Sequence, residues 1–188
     1  MTAERPLNAG EWSVLALLCE EPAHGWALAT ALAQNGEIGA LWSLAKPLVY
    51  RALDLLEQRG LVEVAGAATS TRGPNRTVYR PTRKGRAALR RWLAEPVEHI
   101  REMRPDLLLK LVFAHRSGID ASVLLDAQRS TIERLADGLE RQLDTAAPGR
   151  ALVLRYRVET ARAALRFVEA ERSAVSQGIA AGSRRGRR

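Results

Sequence analysis

The stretch Lys46-Pro47-Leu48-Val49-Tyr50-Arg51-Ala52-Leu53-Asp54-Leu55-Leu56-Glu57-Gln58-Arg59-Gly60-Leu61-Val62-Glu63-Val64 decides the fold. Wound at about 100° per residue, Leu48, Val49, Ala52, Leu53, Leu55 and Leu56 share one arc. Lys46, Pro47, Tyr50, Arg51, Asp54, Glu57 and Gln58 share the other. This division predicts an amphipathic helix from about Leu44 to Arg59. Pro47 fits only its first turn, where an amide needs no partner within the helix. Gly60 stands where a left-handed stop residue belongs. Leu61 to Val64 then alternates like a half-buried strand. Thr77-Val78-Tyr79-Arg80 alternates again beyond the turn at Gly73-Pro74-Asn75, so a hairpin follows the helix.

Upstream, Asn8 is placed to cap a helix carrying Trp12, Leu15, Ala16 and Cys19. Glu20-Glu21-Pro22 ends it. His24-Gly25 opens a second helix through Trp26, Leu28, Ala29 and Leu32, with a stop expected near Asn35-Gly36. Downstream, Thr82 caps a helix through Leu89, Trp92 and Leu93 that ends at Pro96. Helix, helix, helix, strand, loop, strand is the order of a winged helix, whose third helix enters the DNA major groove. Lys46, Pro47, Tyr50 and Arg51 then become the candidates for reading DNA. Arg51 suits either a phosphate or a guanine edge, and Asp54 is expected to form a local ion pair with it. Arg72 and Arg76 flank the hairpin turn, where arginine suits the negative minor groove. Arg80, Arg83 and Lys84 cluster where the wing meets the next helix.

Charge placement agrees with that assignment. The 188 residues carry a formal net charge of +8, but residues 1–42 hold one Arg and five Glu. Residues 43–91 hold eleven Lys or Arg against three Asp or Glu, residues 92–182 balance at thirteen each, and four Arg follow Ser183. The basic excess therefore lies on the proposed recognition helix, wing and linking helix, and on the tail.

Beyond Pro96 the pattern is helical. Pro105-Asp106 is expected to start a segment through Leu107, Leu108, Leu111, Val112 and His115 that stops at Gly118. Asp120 is placed to cap a long helix with the stripe Leu125, Ile132, Leu135, Leu139 and Leu143. After Pro148-Gly149 a second stripe follows at Leu154, Val158, Ala161, Leu165 and Val168. Both step by threes and fours, the spacing of a helix-pairing seam. Two stripes exceed what one antiparallel pair needs to bury, so Leu125, Ile132, Leu135, Leu139, Leu154, Val158, Leu165 and Val168 are the expected dimerisation residues. From about Gln177 periodicity fades into an Arg-rich end expected to be disordered.

His24-Gly25-Trp26, Val49-Tyr50-Arg51-Ala52-Leu53 with Leu56-Glu57, Gly60-Leu61-Val62, Val78-Tyr79-Arg80-Pro81-Thr82 and Gly85-Arg86 together resemble the PadR family of transcriptional regulators, over roughly residues 7–95. The resemblance implies a bacterial winged-helix regulator, usually a repressor, that binds operators as a dimer. The all-helical second half is similar to the larger subfamily, whose C-terminal domain mediates dimerisation. The resemblance also implies that Tyr50 and its neighbours read DNA and that the Arg72–Arg76 loop is the wing. Some members respond to small aromatic or phenolic compounds, which makes Trp92 a candidate wall of an effector cleft beside its plainer packing role. Pro47-Leu48 departs from the Gly-Thr or Gly-Ser common in the family, and Pro81 replaces its usual aliphatic residue. The first departure alters the DNA-facing surface.

No catalytic or metal site is expected. His24, His99 and His115 share no ligand spacing, Cys19 is the only cysteine, and no Gly-rich phosphate loop is present. No apolar run approaches the roughly 18 residues that span a membrane. The N-terminus lacks the basic start and apolar stretch of a secretory signal. The expected protein is mainly α with a small β-hairpin: residues 1–95 a winged helix, 96–176 a helical dimerisation domain, 177–188 a basic tail. It is expected to be a cytoplasmic, nucleoid-associated homodimeric repressor on a pseudopalindromic operator, with no cofactor, no membrane partner and a possible small aromatic ligand. The competing readings are a protein-binding winged-helix module and a non-specific DNA-compacting protein.

Overall fold

The computed structural model describes residues 5–68 and 76–185. The chain forms two compact units, Met1–Leu93 and Ala94–Arg188.

In the first unit, α1 (Ala9–Glu20) starts on a reciprocal cap. Asn8 Oδ1 accepts the Glu11 amide at 3.0 Å, and Glu11 Oε2 accepts the Asn8 amide at 2.8 Å. Arg5 closes over the same carboxylate. Burial works to raise the Glu11 pKa, but the Arg5 and Asn8 hydrogen bonds outweigh it and hold the group below its ordinary value. Val14, Leu15 and Leu18 of α1 are fully buried. Ala23–His24 forms a short strand, β1, and His24 Nδ1 then accepts the Ala27 amide at 3.0 Å to cap α2 (Gly25–Ala31). This second helix stops short of the expected Asn35-Gly36. Gly36 donates to the Ala33 carbonyl and Ile38 to that of Ala31, so the chain turns back and buries Ile38.

Next, α3 (Lys46–Gln58) carries Pro47 in its first turn, and Gly60 follows at a φ of +65°. β2 (Val62–Ala68) and β3 (Arg76–Pro81) pair antiparallel, with Glu63 opposite Arg80 and Ala68 opposite Arg76. The register shifts between Val64 and Gly66. β1 pairs with the other edge of β3, His24 opposite Val78, giving a sheet in the order β1-β3-β2. The hairpin thus gains a third strand, too short to leave an alternating pattern. α4 (Arg83–Ala94) begins at Thr82, whose hydroxyl accepts the Gly85 amide at 3.0 Å and donates to the Gly60 carbonyl at 2.7 Å.

The second unit is helical. A 3₁₀ turn (Ile100–Glu102) and a π turn (Met103–Leu107) lead into α5 (Leu108–Arg116). The helical path therefore begins before Pro105 rather than at it. The proline sits inside the widened turn, whose altered hydrogen bonding accommodates a residue with no amide proton. Asp120 Oδ1 accepts the Ser122 amide at 2.8 Å at the start of α6 (Ser122–Asp144), and α7 (Pro148–Arg185) follows. The helical backbone of α7 continues to Arg185, past the point near Gln177 where the sequence pattern fades. Leu125, Ile132, Leu139, Leu154, Val158, Ala161 and Val168 form one core, with Leu135, Leu143 and Leu165 packed partly against it.

Two polar side chains belong to this interior. Gln128, 1% exposed, accepts the Val97 amide at 2.7 Å and donates to the Val97 carbonyl at 3.0 Å. Lys110 is buried and donates to the Glu95 carbonyl. Burial lowers its pKa, against the opposing pull of Glu95, Asp106 and Glu102.

Candidate nucleic-acid interface

Helical periodicity buries Val49, Ala52, Leu53 and Leu56 of α3 and leaves Lys46, Pro47, Tyr50, Arg51 and Asp54 exposed. Leu48, expected on the apolar arc, is instead 45% exposed. It borders a cleft of about 480 Å³ between the start of α1 and α3, beside Leu44 and Arg51. The expected ion pair between Arg51 and Asp54 does not form, and Arg51 keeps its guanidinium free of any carboxylate among the described residues. Lys46 is likewise exposed without a carboxylate partner among them.

Tyr50 owes its position to Gly25. A Cβ on Gly25 would lie 2.7 Å from Tyr50 Cε1 and 3.1 Å from Cζ, so the ring lies flush on the start of α2. Tyr79 of β3 lies on the same side. Burial, then the carboxylates of Glu57 and Asp54, push its phenol pKa up.

The wing is described only in part. Arg72 and the Gly73-Pro74-Asn75 turn lie outside the described residues. Arg76, at the first position of β3, holds its guanidinium 5.3 Å from the Trp26 ring centroid. The flanking basic residues differ among themselves. Arg80 Nε donates to Glu63 Oε1 at 2.8 Å across the β2–β3 pair. Lys84 Nζ donates to the Arg59 carbonyl at 2.6 Å, closing the end of α3. Arg83 is exposed and has no partner among the described residues. Two of the three flanking cations are therefore tied to the protein, and Arg83 is open to solvent.

Residues 14–91 match the Transcriptional regulator PadR-like family. That stretch, most of the first unit, is similar to the family. The probable transcriptional regulator Rv1176c of Mycobacterium tuberculosis is 32% identical over 96 residues, covering 51% of this chain and 49% of that protein. The chain thus spans about half the length of the curated relative it matches. Among solved structures, Bacillus subtilis PadR in complex with operator DNA is 20% identical, covering 89% of this chain and 99% of that one with a TM-score of 0.47. Bacillus subtilis PadR in complex with p-coumaric acid is 19% identical with the same coverages and a TM-score of 0.41.

Within the first unit, Trp92 is not the wall of an open cleft. It is 8% exposed and stacks on Trp12, centroids 5.0 Å apart and planes 13° off parallel. Offset stacking of two large aromatic faces is a packing solution for α1 against α4, so the ring face an effector would need is already covered. Cys19 of α1 is partly buried, and burial pushes its thiol up to about 11, which keeps it protonated at neutral pH.

The apolar stripes of the second unit also have an address. Leu125, Ile132, Leu139, Leu154, Val158 and Val168 are buried, and Leu135 and Leu165 partly so, in the antiparallel pairing of α6 with α7 within one chain. Both stripes are buried within one chain, in a core that Val97 and Leu107 also join. What remains exposed lies elsewhere on the helices: Val123 at 69%, Leu152 at 65%, Val153 at 57% and Tyr156 at 73%. Sequence spacing missed these residues because they do not extend the main seam. Among the described residues, no cluster of three or more His, Cys, Asp or Glu could hold a metal ion, and no helix is long and apolar enough to cross a membrane.

Proposed function

We propose that the chain is a DNA-binding transcriptional regulator, a repressor acting as a homodimer on a pseudopalindromic operator, and not an enzyme. One observation carries this reading. Lys46, Tyr50 and Arg51 are exposed together at the leading end of α3, and neither cation has a carboxylate partner among the described residues. Exposed cations with an aromatic between them, at the leading end of a helix, suit phosphate oxygens and base edges. A homodimer would place two such helices about one DNA turn apart. Since the main stripes are buried within one chain, the second copy is proposed to meet the exposed Leu152, Val153 and Tyr156 of α7.

The test is a titration of the full chain against its native upstream fragment and a shuffled duplex over a series of salt concentrations. Specific binding that survives competitor and weakens steeply with salt supports the reading. Equal affinity for both duplexes would favour a DNA-compacting role, and no binding at low salt would favour a protein partner. Tyr50→Ala should lower affinity for the native fragment about tenfold, in the range of one good base contact, and change affinity for the shuffled duplex much less. Equal losses would assign Tyr50 to the backbone.

The proposed effector is a small aromatic compound, and its site moves away from Trp92. A cavity of about 380 Å³ in the second unit is lined by Ile100, Leu135, Leu139 and Tyr156 together with His99, Arg101, Arg157 and Thr160. Apolar and aromatic walls beside polar groups that can orient a ligand are features of a small-molecule site. With p-coumaric acid and benzyl alcohol as probes, calorimetric binding that Leu139→Trp abolishes would support this placement. Unchanged binding in that variant would place the ligand elsewhere.

A further inference from the structure

Arg76 stands at the base of the wing with few interactions to hold it. Its guanidinium lies over the Trp26 ring, 5.3 Å from the centroid, and its Nη1 is 3.4 Å from His24 Nε2. The histidine contact is not a hydrogen bond. His24 Nδ1 accepts the Ala27 amide, so the neutral ring carries its proton on Nε2 and presents a donor to a donor. No carboxylate pairs with Arg76 among the described residues. The ring of Trp26 is therefore its one attractive partner there. Trp26 itself is 51% exposed, an unusual state for the largest apolar side chain in a domain that buries Trp92. It directly follows Gly25, on which the Tyr50 ring rests. Tyr50, Trp26 and Arg76 thus run on from one another, from the recognition helix to the wing.

We propose that Trp26 is a positioning residue of the DNA-binding surface, whose ring holds the Arg76 guanidinium while its N–H groups remain available to a DNA phosphate. A cation–π contact acts on the charge of the guanidinium and uses none of its N–H groups in a hydrogen bond, so both interactions coexist. A flexible arginine held in place before binding loses less freedom when it meets its target. The position at the first residue of β3 sets the cation at the root of the wing. This inference rests on the DNA-binding reading above.

The experiment is a double-mutant cycle on the full chain, read by fluorescence anisotropy of a labelled duplex. Trp26→Ala is expected to weaken binding about two- to fivefold, the size of an exposed cation–π contact. Trp26→Phe, which keeps a π face, should recover most of that affinity, and Trp26→Leu, which keeps only bulk, should not. Arg76→Gln should weaken binding and reduce the salt slope by about one. In the Arg76→Gln background, Trp26→Ala should cost nothing further. Equal losses in both backgrounds, or rescue by Trp26→Leu, would overturn the proposal and leave Trp26 a packing residue. Wild-type protein that binds no duplex would instead bring down the DNA-binding reading itself, so the two failures are distinct.

Discussion

Gln128→Leu is expected to destabilise the helical unit by about 2–5 kcal/mol, although leucine matches the volume and sits among leucines. The glutamine amide answers both backbone groups of Val97, accepting its N–H at 2.7 Å and donating to its carbonyl at 3.0 Å in a site 1% exposed. Leucine leaves both groups buried without partners, and each such loss costs about 1–3 kcal/mol. Urea unfolding of the full chain, followed by far-UV circular dichroism, measures the loss, and hydrogen exchange at the Val97 amide localises it. A change below about 1 kcal/mol would mean that water replaces the amide.

Gln128→Glu sharpens the test, because only its protonated form can both accept from and donate to Val97. Burial raises the folded-state pKa of such a carboxyl above its unfolded value. The folded state then binds the proton more tightly, so stability must fall as pH rises from the ordinary carboxylate value through the raised one. The variant should therefore be more stable at pH 4.5 than at pH 8, relative to the parent chain at each pH. A flat profile would show that the carboxylate escapes to solvent.

Gln128 also marks where sequence reading runs out. The order of α3, β2 and β3 was legible because each element carries its own period, and Pro47 and Gly60 punctuate the helix at both ends. Asn8 announced α1 through a local cap. In contrast, β1 is two residues long and exists only because β3 offers an edge. A tertiary partner defines it, and no local pattern can. The stripes of α6 and α7 were legible as stripes, but spacing does not say whether the facing seam belongs to the same chain or to another copy. Gln128, between Leu125 and Ile132, reads as a polar interruption until Val97 is seen beside it.

The proposed interface shows the same division. Exposure of Lys46, Tyr50 and Arg51 follows from helical period alone. The freedom of Arg51, the ties on Arg80 and Lys84, and the seat of Arg76 on Trp26 depend on contacts between distant segments. A basic cluster in sequence thus overstates how many cations are available to a phosphate. Of Arg76, Arg80, Arg83 and Lys84, two already serve the fold.

Gly85→Ala is expected to be the other severe substitution, although alanine is the better helix former by about 1 kcal/mol. α4 crosses the start of the hairpin so closely that a Cβ on Gly85 would lie 2.0 Å from the Leu61 carbonyl oxygen and 2.9 Å from its carbon. Backbone, unlike a side-chain tip, cannot rotate away. The Leu61 oxygen is also held, since it accepts the Thr82 amide at 2.9 Å. The Thr82 hydroxyl bridges Gly60 to the Gly85 amide, so a displaced α4 would break those bonds as well. Overpacking combined with lost hydrogen bonds places the cost at about 3–5 kcal/mol, and the thermal midpoint should fall by more than about 10 °C. Gly149→Ala is the control: it lies in the first turn of α7, a Cβ there meets nothing within 4 Å, and the change should be neutral or stabilising. The same junction carries β2 and β3 away from α3, so surviving folded Gly85→Ala protein should bind DNA more weakly than Gly149→Ala protein. Full affinity in a folded Gly85→Ala chain would mean that wing placement is independent of this crossing.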